Sequence, residues 1–548
     1  MGLVQVIALG GAGEIGKSCT VVRQADDIVV LDCGLAFPSE EMLGVDIVLP
    51  DFTYLYENAE KVRGIFLTHA HEDHVGSLPY LLKRVNVPVY ASEFTHALMR
   101  SKLEERIDVR KCDLRTFQFG QEVEVGTLGV EPVRVTHSAP QSASFAVRTE
   151  HGVILLTGDF KFDFTPVDGK LSDVTRFGEL GREGVVLLLC DSTNVERPGW
   201  GPSERLVRDG LLRVFLESEG RVLLTTFASN IHRMQQVYEV AEQTGRKVAV
   251  VGRRMEQSLE VCARMGFASI PPNTQTSLED LGRLRPEELV ILTTGSQGEP
   301  MSALVQMSKG EYGRLSILPG DTVIYSARPI PGNEAAVWRT MNRLIRQGAR
   351  VVYETEPPVH VSGHAYQEEM KMLVNLTRPF YIAPIHGEPR HQYRFKQMAL
   401  QMGYPEHRIF TLDDGLPLIL DEKEAYLGDP VHCGRVLVDN SGAPGVTDEV
   451  LRDRTNLAND GLVAVTVAVD PENGDVVGEP ILQAKGFHDP DGTLEAAAQA
   501  LVEELDAMNP DDLRDVDKLR HEVADVVRRF IRRRTSLRPL VVPTIVEV

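Results

Sequence analysis

Thr68-His69-Ala70-His71-Glu72-Asp73-His74, residues 68–74, places three imidazoles and the Asp73 carboxylate within six residues, directly after the apolar run Gly64-Ile65-Phe66-Leu67. So dense a set of ligand-type side chains does not suit a core, and a polar surface loop has no need of it. Imidazole nitrogen and carboxylate oxygen suit zinc or a similar divalent ion, and the set is large enough to face two adjacent ions.

Other strand-like runs end on the same kind of residue. VEPVRVTH ends at His137, VILLTGD at Asp159, VVLLLCD at Asp191 and PFYIAPIH at His386. Each alone reads equally well as a satisfied structural residue. Sheets bring strand ends together, however, and ligand sites in α/β proteins collect at carboxyl ends. The shared position therefore predicts convergence of these residues with the 68–74 segment.

Composition bounds the alternatives. The chain has 548 residues, 43% hydrophobic and 25% charged, ordinary values for a globular protein of several domains. No apolar run approaches the roughly 20 residues that cross a bilayer. Met1–Gly10 lacks a basic leader and reads as a first strand rather than a signal peptide, so a cytosolic location is expected. The six cysteines, at 19, 33, 112, 190, 262 and 433, form no CxxC pair, which argues for reduced thiols. A net charge of −21 leans by itself away from a polyanionic partner.

Organisation changes along the chain. Up to about residue 203 short β-branched runs dominate. Strand and helix then alternate: SERLVRDGLLRVFLES, RVLLTTFASN, IHRMQQVYEVAEQ, KVAVVG, LVILTTGSQGEP, DTVIYSARPIPG and NEAAVWRTMNRLIRQG. That pattern predicts a parallel sheet with crossover helices. RVVYETEPP and PFYIAPIHG return to the first style, so the alternating part reads as an insertion. Residues 426–455 read as a connector. Beyond it a hairpin with the turn PENGD, two helices and the strand RPLVVPTIVEV form a small module. Its second helix carries Leu519, Val523, Val526, Val527, Phe530 and Ile531 as an apolar stripe. Arg528, Arg529 and Arg532–Arg534 surround that helix's end and read as a solvated face.

Taken together, HxHxDH at 69–74, His137, Asp159 and the strand-ending Asp32 resemble the metallo-β-lactamase fold. Asp191 in DSTN, His364 in HVSGHA and His386 in IHGEP resemble the motifs of its β-CASP nuclease branch. FPSEEMLGVDIVLPDFTYL, TTFASNIHRMQQV, TTGSQGEPMSAL and HVSGHAYQEEMK are similar to the bacterial ribonuclease J family, and the likeness covers nearly the whole chain. The resemblance implies an α/β architecture: a metallo-β-lactamase αββα sandwich (1–204 and 349–425), an inserted β-CASP domain with a parallel sheet and flanking helices (205–348), a linker (426–455) and a small C-terminal α/β domain (456–548).

The resemblance also implies roles. His69, His71 and His137 would hold one divalent ion, and Asp73, His74 and His386 a second, with Asp159 bridging and Asp32 orienting the ligand loop. Zinc is the expected metal, with manganese an alternative and a structural calcium expected near Asp46, Asp51 and Asp439. Two such ions can share a hydroxide and offset charge on a phosphodiester. His364, held by Asp191, would be the general acid. Ser229, Asn230 and Ile231, with His360, Val361, Ser362, Gly363 and His364, would grip substrate phosphate through backbone N–H groups, small polar side chains and a helix N-terminus. RNA is the expected partner, cut both internally and from 5′-monophosphate ends in decay and maturation. A homodimer and contacts with other RNA-decay proteins are also expected. A DNA-directed β-CASP nuclease and a catalytically silent RNA-binding scaffold are the alternatives; a lactamase or thioesterase would not need the insertion.

Gly11-Ala12-Gly13-Glu14-Ile15-Gly16 satisfies a dinucleotide-binding pattern. The sequel SCTVVRQADDIVVLDCG reads as two strands where that site requires a helix, so the glycines are expected in a tight loop beside the metals. His96, His151, His407, His432, His488 and His521 stand outside any motif and are expected to be structural or exposed. The acidic net charge predicts a local basic channel, with Arg233, Arg253, Arg254 and Arg328 as its candidate residues.

Overall fold

The computed structural model describes residues 2–39, 41–330, 332–439, 441–489 and 491–548. The chain forms two compact units, Met1–Phe37 with Val48–Val436, and Pro38–Ile47 with Leu437–Val548.

The first strand, Val4–Gly10, explains the sandwich of the first unit. Val4, Val6 and Ala8 point into one apolar layer, while Ile7 and Leu9 point into another. A strand apolar on both faces must be covered on both. It lies in an eight-stranded sheet that includes Cys19–Gln24, Asp27–Leu31 and Val62–Phe66. The facing sheet has six strands, among them Leu128–Arg134, Ala143–Thr149, Gly152–Leu156, Val185–Asp191 and Tyr381–Ile385. Phe66 and Tyr90 from one sheet share a buried cluster with Phe145, Ile154 and Leu189 from the other. Helices cover the outer faces: Glu93–Glu104 on the first sheet, and Val174–Glu183, Gln367–Thr377 and Pro389–Gln401 on the second. This is the expected αββα arrangement.

The alternating segment forms a five-stranded sheet, in the order Lys247–Val251, Leu289–Thr293, Val222–Thr225, Thr322–Tyr325, Arg350–Val352. Every neighbouring pair is parallel. Leu206–Glu217, Ile231–Gln243 and Arg253–Arg264 pack on one face, and Ala303–Lys309 and Glu334–Arg346 on the other. One expectation is corrected here. Arg350–Val352, read from its style as a return to the first sheet, pairs with Thr322–Ile324 and closes the inserted sheet. Three residues of β-branched pattern cannot say which edge they join.

In the second unit Leu462–Val469 is the central strand, antiparallel to Ile481–Lys485 and parallel to Leu540–Glu547. The expected turn is present, with Gly474 N–H donating to Asp470 O. Thr493–Asp506 and Val516–Thr535 supply the helical layer, with Leu519, Val523, Val526, Val527 and Ile531 buried and Phe530 half-buried against them. The stretch read as a connector through 455 already carries the start of the helix Asp448–Asp460, capped by the Thr447 hydroxyl. Among the described residues no helix is long and apolar enough to cross a membrane.

Candidate metal centre and its surroundings

Strand direction gathers the site. Leu128–Arg134 and Gly152–Leu156 are both antiparallel to Ala143–Thr149, so they run the same way, and Val185–Asp191 and Tyr381–Ile385 are parallel to Gly152–Leu156. His137, Asp159, Asp191 and His386 therefore emerge at one edge. In the facing sheet Asp27–Leu31 and Val62–Phe66 are also parallel, which sets Asp32 beside Thr68. His71 precedes the short helix Glu72–Val75, whose first turns carry Asp73 and His74 back toward the same edge.

The side chains form two groups around one carboxylate. His69 Nε2 and His137 Nε2 lie 3.0 and 3.2 Å from His71 Nδ1, and each lies 3.6 Å from Asp159 Oδ2. On the other side His74 Nε2 lies 3.3 Å from Asp159 Oδ1, and His386 Nε2 lies 3.3 Å from Asp73 Oδ2. Within each group the facing ligand atoms stand within 4.8 Å of one another.

The outward nitrogens are already occupied. His74 Nδ1 lies 2.8 Å from Asp32 Oδ2, His69 Nδ1 3.0 Å from the Thr68 hydroxyl, and His137 Nδ1 2.8 Å from Gly363 O. His71 Nε2 is 3.2 Å from the Ser138 hydroxyl, and His386 Nδ1 is 3.0 Å from the Thr193 hydroxyl. For His69, His71, His74 and His137 the outer partner orients the ring and leaves the other nitrogen for the centre, the usual arrangement around a metal, whereas His386 Nδ1 also lies 3.5 Å from Asp159 Oδ1. Among the described residues His74 Nε2 and Asp159 Oδ1, both buried and 3.3 Å apart, have no hydrogen-bond partner of good geometry. Orphaned polar atoms at the focus of the group are costly in a protein interior, and a divalent cation would satisfy both. The donor set fits zinc or a similar ion.

Electrostatics differ between the two groups. Burial holds His69 and His137 well below the usual imidazole range and brings His71 down to about 4, so these rings are neutral and keep a lone pair near neutral pH. For His386, burial alone would lower the value, but Asp159, Asp191 and Asp73 outweigh it and raise the ring to about 10.

His364 stands at the margin. Its Nδ1 lies 2.8 Å from Asp191 Oδ2 and its Nε2 3.9 Å from Asp159 Oδ2. Burial, which would lower its pKa, is outweighed by Asp191 and Asp159, so the ring is held above the ordinary value. Burial would likewise raise Asp191, but His364 holds that carboxyl below the usual range. Asp191 Oδ1 also accepts from Thr193 N–H, and Asn194 donates to Ser362 Oγ and His364 O.

Two glycines make the close approaches possible. A Cβ on Gly363 would stand 2.7 Å from the His137 ring, and one on Gly34 would stand 1.6 Å from Asp73 O. The glycine-rich segment 11–16 is a loop followed by the strand Cys19–Gln24, as expected, and Gly11 O accepts from His386 N–H.

Comparison with known proteins places this architecture. The profile described as "Ribonuclease J, beta-CASP domain" matches residues 219–344 and that of the "Metallo-beta-lactamase superfamily" residues 12–189. "Zn-dependent metallo-hydrolase RNA specificity domain" matches 348–410, and "Ribonuclease J C-terminal domain" 449–548. Ribonuclease J2 of Bacillus subtilis is 37% identical over 100% of this chain and 99% of its own length. Ribonuclease J of Thermus thermophilus is 40% identical over 99% of this chain and 95% of its own.

The chain belongs to the ribonuclease J family.

Ribonuclease J of Synechocystis is 42% identical over 88% of this chain and 75% of its own length. A crystal structure titled as a protein of unknown function from Enterococcus faecalis shares the fold, with a TM-score of 0.55 and 18% identity over 76% of this chain and 100% of that one.

Within this ribonuclease J family chain the other candidate residues divide. Asn230 Oδ1 accepts from Arg233 N–H and caps the helix Ile231–Gln243. Phe227, in the loop leading to Ser229, has its ring 6.3 Å from that of His71, so this helix start lies beside the metal candidates. Ile231 and Val361 are buried, leaving only their backbone to face a ligand, and Ser362 accepts from Asn194. His360 Nδ1 lies 3.4 Å from Arg233 Nη1.

Arg233 corrects the basic-channel expectation. It is wholly buried, with Nη2 2.7 Å from Glu204 Oε1 and Nη1 donating to Val359 O and Ser326 O. Its position on the inward face of an amphipathic helix could have warned of this. Arg253 and Arg254 are exposed and approach Glu105 and Glu72 at 3.5 and 3.6 Å, and Arg328 is exposed. Of the candidate calcium residues, Asp51 accepts from Thr53 and Asp439 from Ser441, each within its own unit. The outer partners Thr68, Ser138 and Thr193 were not singled out from sequence, although each is a hydroxyl residue next to a ligand-bearing motif.

Proposed function

We propose that this protein is a metal-dependent ribonuclease that hydrolyses RNA phosphodiester bonds, removing nucleotides 5′ to 3′ from 5′-monophosphate ends and also cutting internally. The observation that carries this reading is Asp159 shared between two ligand groups, with the Asp191–His364 pair at their margin. His69, His71 and His137 would hold one ion, and Asp73, His74 and His386 the other. Two divalent ions in these groups supply charge neutralisation on phosphate and bring the pKa of water toward neutrality.

The chain's own residues do the rest. Asp32 fixes His74, and Gly363 O fixes His137. Ser229, the start of the helix after Asn230 and the backbone of 360–363 hold phosphate. His364, oriented by Asp191, gives its Nε2 proton to the departing 3′ oxygen, which leaves a 3′-hydroxyl on one product and a 5′-phosphate on the other. Zinc suits the nitrogen-rich donor set, with manganese the alternative. We further infer a homodimer acting in the cytosol.

The deciding experiment pairs metal analysis with time courses on 5′- and 3′-labelled RNA bearing a monophosphate or triphosphate, beside matched DNA. Two ions per chain and monophosphate-dependent release of nucleotides from RNA are expected. Cleavage of DNA alone would move the substrate, and no metal with no cleavage would overturn the reading. Ser229→Ala should depress terminal removal more than internal cutting; equal losses would detach Ser229 from the 5′ end.

A further inference from the structure

Glu369 lies in the first turn of the helix Gln367–Thr377 and is wholly buried. Its carboxylate accepts from three backbone N–H groups. Phe162 N–H donates to Oε1 at 2.9 Å, and Gly201 and Tyr366 N–H donate to Oε2, each at 2.8 Å. Phe162 follows Asp159 by three residues, Tyr366 follows His364 by two, and Gly201 ends the stretch that leaves Asp191. Directly between them Ala365 N–H donates to Phe160 O at 2.6 Å.

One buried side chain thus ties together the three segments that carry the shared ligand, the orienting carboxylate and the marginal histidine. A carboxylate offers two oxygens with several lone pairs and can accept all three bonds; an amide cannot, because its NH2 group would face a donor. Packed interiors transmit small shifts, and a displacement near 1 Å at a reacting group costs about 10²-fold in rate.

We propose that Glu369 is a positioning residue for proton donation, setting His364 Nε2 against the Asp159-centred site where the departing oxygen must lie. This rests on the general-acid reading of His364. Leaving-group dependence tests it: RNA loses a 3′-alkoxide that needs a proton, whereas bis(p-nitrophenyl) phosphate loses an aryloxide that does not.

Wild type, His364→Ala and Glu369→Gln would be compared as metal-loaded full chains on both substrates, with metal content measured alongside. Glu369→Gln should keep its metals and its aryl-diester rate while the ratio of RNA to aryl-diester rate falls about 10²-fold. Equal loss on both substrates, loss of metal, or no change would overturn the proposal. If His364→Ala is itself unselective, the general-acid reading fails. If His364→Ala is selective and Glu369→Gln is not, only the role of Glu369 fails. Should Glu369→Gln not fold, the same ratio is read on Gly201→Ala, whose methyl would stand 3.0 Å from Glu369 Oε2.

Discussion

His364 places one ring nitrogen 2.8 Å from Asp191 Oδ2 and the other 3.9 Å from Asp159 Oδ2. A single imidazole thus spans an orienting carboxylate and the residue on which both ligand groups converge. Against burial, Asp191 and Asp159 together hold the ring above its ordinary pKa.

Asp191→Asn removes the charge that helps raise the His364 pKa. A general acid works only while protonated, so the rate falls as pH rises through its pKa. Lowering that pKa should move the alkaline fall of kcat to lower pH, measured on RNA with saturating metal. An unmoved limb would assign it to another group.

His71→Ala and Asp159→Ala should abolish cleavage and lower bound metal, because their atoms face the centre of the ligand groups. His364→Ala should keep its metal and slow cleavage by about 10²- to 10⁴-fold, the usual range for a general acid. Elemental analysis beside single-turnover rates separates the two classes. Equal metal loss in His364→Ala would make that ring a ligand.

Gly363→Ala would set a methyl 2.7 Å from the His137 ring, whose Nδ1 is held by the Gly363 carbonyl. Disturbing such an outer partner typically costs about 10- to 100-fold in metal affinity. Competition with a graded chelator should show that loss at one ion per chain. Unchanged affinity would show that the loop yields without moving His137.

Arg233→Ala leaves Glu204 buried without its cation. Breaking a buried pair from one side costs about 3–5 kcal/mol, to be read as a lower denaturant midpoint. The exposed Arg253→Ala should barely change stability and, where the side chain meets phosphate, should lower the salt slope of RNA binding by about 1. Reversed effects would restore Arg233 to the substrate path.

Much of the site was legible before any tertiary contact. His69, His71, Asp73 and His74 stand within six residues, and a ligand set that dense has few other uses. The ends of apolar runs marked His137, Asp159, Asp191 and His386, because strand direction is a local pattern and parallel strands deliver their ends to one edge. The crossover helices were equally plain: IHRMQQVYEVAEQ is the helix Ile231–Gln243 residue for residue.

What the sequence by itself determined, then, is which residues carry the chemistry and which elements bear them, since ligand type and periodicity are properties of neighbours along the chain. Only the tertiary structure decided which oxygen of Asp159 faces which group, that Arg233 is spent on Glu204, that Arg350–Val352 closes the inserted sheet, and that Glu369 gathers three loops. Each of these depends on groups brought together from distant parts of the chain. Burial and hydrogen-bond geometry are set by that packing, and no local pattern encodes them.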